Sequence, residues 1–318
     1  MQFYPLKFRP IYKQRIWGGQ RLREFFNKDI PVFEKIGESW ELADLPEDKS
    51  IIANGELAGK TISQVIAKYP EQITGSRNFL GRFPLLIKFI DAEDVLSIQV
   101  HPDEQTCLHT GKGEAKSECW YIVYAEPGAV IYKGLEKGVT KGQFAEAIRK
   151  GGVAELVRKV PVEAGQCYFL PAGTVHSMGP GVLTVEIQTP SDTTYRIFDW
   201  KRLDESNKPR ELHTEESLES ICFDMPEDGL PVTTPINRGR LVDSRYFKVD
   251  KDHQEKDCEK LFSAGKMKTL VILSGSGNII DGSEVSVDFR AGDTILIPAA
   301  CEGAMLFAED TQYLTVTV

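Results

Sequence analysis

The sequence predicts a mainly β protein made of two barrel- or sandwich-type halves with a small helical insertion, the second half degenerate. Three observations carry this expectation. Short apolar runs bounded by Gly, Pro or Asp recur at close spacing. One stretch with helical spacing interrupts them. A strand-and-turn pattern near residue 170 returns near residue 297.

The apolar runs include P-L-L-I-K-F-I (84–90), V-L-S-I-Q-V (95–100), C-W-Y-I-V-Y (119–124), C-Y-F-L (167–170) and V-L-T-V-E-I (182–187). Each is rich in Val, Ile, Phe or Tyr, the residues that fit a pleated surface. Strand signals resume at 268–273, 285–289, 294–298 and 313–318. Between strands, 140–159 has apolar residues at helical spacing around a Gly-Gly break, which predicts a helical pair. Acids in the first turn of T-E-E-S-L-E-S-I (214–221) predict a short helix. The Pro-containing segment 222–238 reads as a linker.

These signals divide the 318 residues into 1–230, carrying the chemistry and the helical insertion at 140–159, and a β domain at 231–318. G-Q-C-Y-F-L-P-A-G-T-V-H (165–176) and G-D-T-I-L-I-P-A-A-C-E-G (292–303) match at Gly, Pro and Ala. They read as two copies of one unit, the second with Gly303 in place of His176. The alternative is two unrelated strands that both end in Pro-Ala.

A formal net charge of −9 disfavours nucleic acid and anionic membranes as partners. It also repels a phosphorylated substrate at long range, so a phosphate ester needs a local cluster of Lys and Arg. The first ten residues carry charges and prolines and read as no secretory leader. No run approaches the about 18 apolar residues of a membrane helix. Six scattered Cys without C-x-x-C spacing read as reduced thiols, and a cytoplasmic protein is expected.

The chemistry begins at S-I-Q-V-H-P (97–102). On a strand, Ser97, Gln99 and His101 share one face. Such a polar row is either solvated or satisfied by something bound. Glu118 opens a second strand, and the turn P-A-G-T-V aims His176. Gln99, His101, Glu118 and His176 together offer two imidazole nitrogens and two oxygens, a plausible first set of ligands for a divalent metal, and zinc suits it. Lys88 lies in an apolar strand and needs a partner or a ligand, unless it snorkels at an edge. Arg196 lies between aromatic residues and reads either as a substrate cation or as an ion pair with Asp192 or Asp199.

The Q-x-H-P and P-A-G-x-x-H pair resembles the two metal motifs of the cupin superfamily, with Gln99 where a His is common. With K-S-E-C-W-Y (116–121), S-D-T-T-Y-R-I-F-D-W (191–200), R-I-W-G-G (15–19) and I-G-E-S-W-E-L (36–42), the chain resembles class I mannose-6-phosphate isomerases of the short bacterial form. The likeness runs from about residue 5 to 205 and weakens beyond about 230. It implies two cupin-type jelly-roll barrels (a bicupin), the second degenerate. It implies one zinc per chain, held by Gln99, His101, Glu118 and His176. It implies interconversion of mannose 6-phosphate and fructose 6-phosphate, with Ser97, Lys88 and Lys116 lining the substrate pocket and Arg196 an essential cation. Lys201 and Arg202 extend the basic patch in this reading, and Glu38 and Glu186 are candidate proton carriers. The second half suits a structural or dimer-forming role, so a homodimer is among the expected assemblies. Competing readings are a non-haem iron oxygenase built on His101, Glu118 and His176, which Gln99 disfavours by filling an open position, and a non-catalytic sugar-binding cupin. Acidification towards pH 5 is expected to release the metal, because His ligands bind only when neutral.

Overall fold

The computed structural model describes residues 2–79, 81–204, 207–225, 238–282 and 286–318. Its strands begin with β1 (Leu6–Lys7), β2 (Ile11–Gly19), β3 (Ile36–Leu42), β4 (Leu86–Ala92), β5 (Ile98–Val100) and β6 (Glu118–Ala125). There follow β7 (Val130–Leu135), β8 (Val157–Pro161), β9 (Cys167–Leu170), β10 (His176–Met178), β11 (Val182–Gln188) and β12 (Tyr195–Phe198). The later part contains β13 (Gly239–Asp243), β14 (Lys248–Gln254), β15 (Glu259–Phe262), β16 (Lys268–Ser274), β17 (Ser276–Asp281), β18 (Ser286–Arg290), β19 (Thr294–Ile297), β20 (Gly303–Phe307) and β21 (Thr311–Thr317).

The strands form four sheets. One six-stranded sheet runs β2-β3-β4-β11-β6-β9, and a five-stranded sheet runs β12-β5-β10-β7-β8. A second six-stranded sheet runs β1-β19-β16-β21-β14-β13, and a four-stranded sheet runs β15-β20-β17-β18. The two sets share one order. β9-β6-β11-β4-β3 corresponds to β19-β16-β21-β14-β13, and β5-β10-β7-β8 corresponds to β15-β20-β17-β18. The motif at 165–176 and its copy at 292–303 occupy matching strands. Both turns close with the same backbone bond, Thr174 N to Pro171 O (3.1 Å in length in one, Cys301 N to Pro298 O at 3.0 Å in the other).

The mainly β expectation holds, and two details differ from it. The predicted helical pair at 140–159 is one helix, Lys141–Lys150, then a 3₁₀ turn, Val153–Glu155, then β8. Thr140 and Gln143 form a capping box at the helix start, and Gly151 ends it in the left-handed region at φ 79°. Beyond it, Val157 and Val160 suit a strand, and their segment pairs with β7. Second, β1 pairs with β19, so residues 6–7 join the sheet of the later half. The proposed division at 230/231 lies outside the described residues, as does most of the linker segment 222–238. The helix read from 214 is present as Thr214–Ser220.

Side-chain alternation positions the site. On β6, Glu118, Trp120 and Ile122 face the interior between the first two sheets. Cys119 and Tyr121 face the opposite way, into the largest apolar cluster. That cluster takes residues from both halves, including Phe89, Val185 and Ile187 with Val249, Val271 and Val316. Phe169 and Phe247 meet edge-on across it at 6.2 Å. All six cysteines are free, and no helix among the described residues is long and apolar enough to cross a membrane.

Gly303 explains why the second copy has no His. A Cβ there would lie 2.1 Å from the carbonyl oxygen of Ile280 on the adjacent strand. Gly303→Ala should therefore destabilise the fold by about 1–3 kcal/mol, the usual cost of overpacking. Urea unfolding followed by circular dichroism measures it, and an unchanged midpoint would refute the steric account.

Candidate active site

The site forms where two sheets face each other. In the five-stranded sheet, one row of cross-strand neighbours runs Arg196, Gln99, His176, Lys133. In the facing sheet, another row runs Trp40, Lys88, Glu186, Trp120, Tyr168. Glu118 and Gln188 are paired one step further along. Strand register thus brings together residues far apart in the chain.

His101, Glu118 and His176 are buried, and their ligand-capable atoms all lie within 4.8 Å of one another. His101 Nε2 is 3.3 Å from one Glu118 oxygen, and His176 Nε2 is 3.3 Å from the other. Gln99 Nε2 lies 3.3 Å from His176 Nε2. Half a turn of the amide puts its oxygen there instead. Each imidazole is oriented from behind. His101 Nδ1 faces the carbonyl of Thr193 at 2.8 Å, and His176 Nδ1 faces that of Thr174 at 2.8 Å. A carbonyl only accepts, so both Nδ1 atoms carry the proton and both Nε2 lone pairs point at the carboxylate. The turn also ties the two histidines together, since Gly173 N donates to the His101 carbonyl at 2.9 Å. Gly173 takes φ 86°, a conformation that favours glycine.

His101 Nε2 and both Glu118 oxygens are buried without a hydrogen bond. Lone pairs that converge on one point without donors repel, and burial makes this costly. A divalent cation resolves it. Two imidazole nitrogens, one carboxylate and one amide oxygen fit zinc. Burial alone would push Glu118 up, but the Lys116 ammonium, 3.1 Å away, outweighs it and holds the carboxyl well below its usual range. Burial and Lys116 push His101 down to about 3, and burial lowers His176.

Beside the centre, Gln99 and Lys116 line a cavity of about 370 Å³. Five basic side chains, Arg15, Lys88, Lys116, Arg196 and Arg210, line it against three acidic ones, Glu38, Glu186 and Asp192. Lys88 is 4% exposed, which excludes the snorkelling alternative. It sits 2.9 Å from Glu186 and 5.0 Å over the Trp40 ring. Burial opposes its charge, but Glu186 and Glu38 outweigh this and raise it above its ordinary value. Glu38 is gripped by Arg15 at 2.9 and 3.2 Å and by Trp40 Nε1 at 2.6 Å. Burial raises its pKa, but Lys88 and Arg15 bring it down to about 2. Trp120 Nε1 donates to Glu186 at 2.9 Å.

Arg196 has no acidic partner among the described residues. Asp199, a partner open to it in the sequence, is taken by Arg202 and Arg210. Arg196 donates to the Glu211 carbonyl at 2.9 Å, its buried Nε has no acceptor, and burial and Arg210 lower its pKa. Ser97 lines the cavity, with its hydroxyl 3.5 Å from the Gln99 oxygen. Lys201 is exposed and does not line the cavity, and Arg202 turns towards Asp199 and the Val95 carbonyl. Arg15, Arg210 and His213 were missed as site residues. R-I-W-G-G contained Arg15 without assigning it a role, and nothing in the pattern around Arg210 or His213 marked them.

Residues 6–121 match the family model of the phosphomannose isomerase type I catalytic domain. The chain is 35% identical over 297 residues to a mannose-6-phosphate isomerase of Streptococcus mutans, covering 92% of each chain. It is also 35% identical over 309 residues to ManA, a mannose-6-phosphate isomerase of Bacillus subtilis, covering 92% of this chain and 93% of that one. A crystal structure of the mannose 6-phosphate isomerase from Bacillus subtilis superposes with a TM-score of 0.87 at 28% identity, covering 99% of both chains. Identity sustained over almost the whole of both chains places this protein in the type I phosphomannose isomerase family.

Proposed function

We propose that the chain is a zinc-dependent aldose–ketose isomerase that interconverts mannose 6-phosphate and fructose 6-phosphate through an enediolate. The observation that carries this reading is the buried donor set of Gln99, His101, Glu118 and His176 beside a cavity with excess positive charge. Residues 1–230 are the catalytic part, with one zinc per chain, and 231–318 form a degenerate cupin-like β domain.

The bound ion supplies Lewis-acid stabilisation of negative charge on sugar oxygens. The protein's own groups do the rest. Lys116 keeps Glu118 ionised as a ligand. Arg196, with no acidic partner among the described residues, is available for the negative charge of the enediolate or of the phosphate. Arg210 adds charge near it, and the Asp199 carboxylate fixes its guanidinium. Moving a proton between C1 and C2 needs a carrier. Glu38, held at about 2, is a poor base. Glu186 also lines the cavity, with Trp120 on one carboxylate oxygen and Lys88 on the other, and is the remaining candidate.

A coupled assay on mannose 6-phosphate tests the reading directly. Activity should disappear with a chelator and return with zinc, and inactivity of the zinc-loaded protein would refute it. His101→Ala and His176→Ala should each lose metal and activity together, read by elemental analysis and the same assay. Full zinc retention in either variant would show that the ligand set is wrong.

Arg196→Ala should keep fold and zinc while turnover falls by about two to three orders of magnitude. Arg196→Lys should rescue only in part, because a point charge does not reproduce the planar fork. A rise in KM alone would assign Arg196 to the phosphate, and a fall in kcat to the transition state. Near-native values for both would make it structural.

The pH expectation changes once burial is known. Protons compete with zinc only where the metal-free imidazoles accept them, and burial moves that range for His101 from its ordinary value to about 3. Zinc should therefore stay bound at pH 5 and leave as the pH nears that lower range. For the metal-free fold, depressed imidazole and carboxyl values have the same sign. Stability is full above about 6.5 and declines as the pH falls towards 3, because the unfolded chain takes up protons first. Dialysis at stepped pH with metal analysis checks the first statement, and urea midpoints of the metal-free protein check the second.

A further inference from the structure

The later sheet pair contains a cavity of about 300 Å³. It is lined from β13, β14, β15, β16 and β21, the counterparts of the strands β3, β4, β5, β6 and β11 that line the active-site cavity, and also from β19 and β20, whose counterparts β9 and β10 do not line that cavity. The chemistry of its walls differs. No His among the described residues lines it, and Leu270, Ile297 and Met305, all nearly fully buried, contribute apolar lining.

Its polar groups cluster to one side. Lys260 bonds the Tyr313 hydroxyl at 2.9 Å and pairs with Asp252 at 3.0 Å. Asp252 also attracts Arg238 at 3.5 Å, and Asp250 is taken by Arg240 at 2.6 Å. Both acids of the wall are therefore engaged. Half-buried Lys268 lines the same cavity and has no acid and no hydrogen bond among the described residues. Burial lowers its pKa, and Lys260 and Lys266 lower it further. In a chain of net charge −9, this is a local positive excess beside an apolar pocket. Two partly desolvated ammonium groups near one another are relieved by a bound anion.

We propose that this cavity is a second binding site, for a small organic anion with a phosphate or carboxylate head on an apolar body. The head lies at Lys268 and Lys260, and the body rests on Leu270, Ile297 and Met305. The volume lies at the lower end of ordinary ligand pockets and suits a body the size of one ring. The site does not depend on the isomerase reading, because no active-site ligand takes part in it.

Calorimetric titration of the metal-loaded protein with phenyl phosphate, and separately with benzoate, tests this. Wild-type protein should bind at least one of them in a phase that Lys268→Met weakens about ten-fold or more. Lys268→Arg, which keeps the charge, should retain that phase within about three-fold, and Arg196→Ala should leave it intact. Thermal unfolding would verify that the variants are folded. Lys268→Met should also keep the isomerase kcat/KM of the wild type. Lysine-dependent binding of phenyl phosphate alone identifies a phosphate head, and of benzoate a carboxylate head. If wild-type protein binds neither probe, or if Lys268→Met binds both as tightly as wild type, the proposal fails.

Discussion

One electrostatic problem organises this molecule. The Glu118 carboxylate is fully buried, with an imidazole lone pair 3.3 Å from each oxygen and only the Lys116 ammonium, 3.1 Å from one of them, to offset its charge. A carboxylate and two neutral imidazoles pointing at one spot repel unless a cation occupies it. Much of the surrounding structure keeps that arrangement from relaxing. The Thr193 and Thr174 carbonyls fix the imidazole tautomers, and Lys116 prevents Glu118 from escaping by protonation. The turn at Gly173 hangs one ligand strand from the other.

The second theme is how an acidic protein builds a positive cavity. Long-range charge opposes a phosphate ester, but screening limits that field to about 8–10 Å in physiological salt. Local composition then decides. Arg15 and Lys88 are neutralised by Glu38 and Glu186, which fix them in place and leave little net charge. Asp199 orients Arg202 and Arg210 from outside the cavity. Arg196, which pairs in register with Gln99, has no carboxylate to satisfy it among the described residues. Its charge is thus available to whatever enters.

The two sheet pairs show how one topology can carry different chemistry. Matching strand orders put matching walls around two cavities, yet the fate of each depends on single positions. At His176 the backbone leaves room for an imidazole between Gln99 and Lys133. At Gly303 the Ile280 carbonyl leaves no room for any side chain. The absence of a His at this position of the second copy is therefore built into the backbone spacing as well as into the residue. The apolar cluster shared by the two halves makes them one packed body, in which Tyr121 of β6 meets Lys251 of the later half at 5.5 Å.

The candidate metal ligands could be picked out in the sequence because each sits in a rigid local context. Strand alternation gave Gln99 and His101 a common face, and Pro-Ala-Gly gave His176 a fixed direction. The mainly β class followed from short β-branched runs, whose preference is local. What the sequence left open was long-range. Lys88 and Arg196 each had two readings, because a buried cation in an ion pair and one facing a ligand have the same neighbours in sequence. The tertiary structure decided between them: the segment after β12 gives Asp199 to Arg202 and Arg210, and strand register sets Lys88 opposite Glu186. Arg210 and His213 lie in a stretch with no periodicity, so only folding brings them to the cavity. The 140–159 stretch misled for a related reason: its apolar spacing suits a helix, but pairing with β7 made its last residues a strand. Local patterns determined which residues could bind a metal, and the pairing of distant strands decided which charges were left unpaired around it.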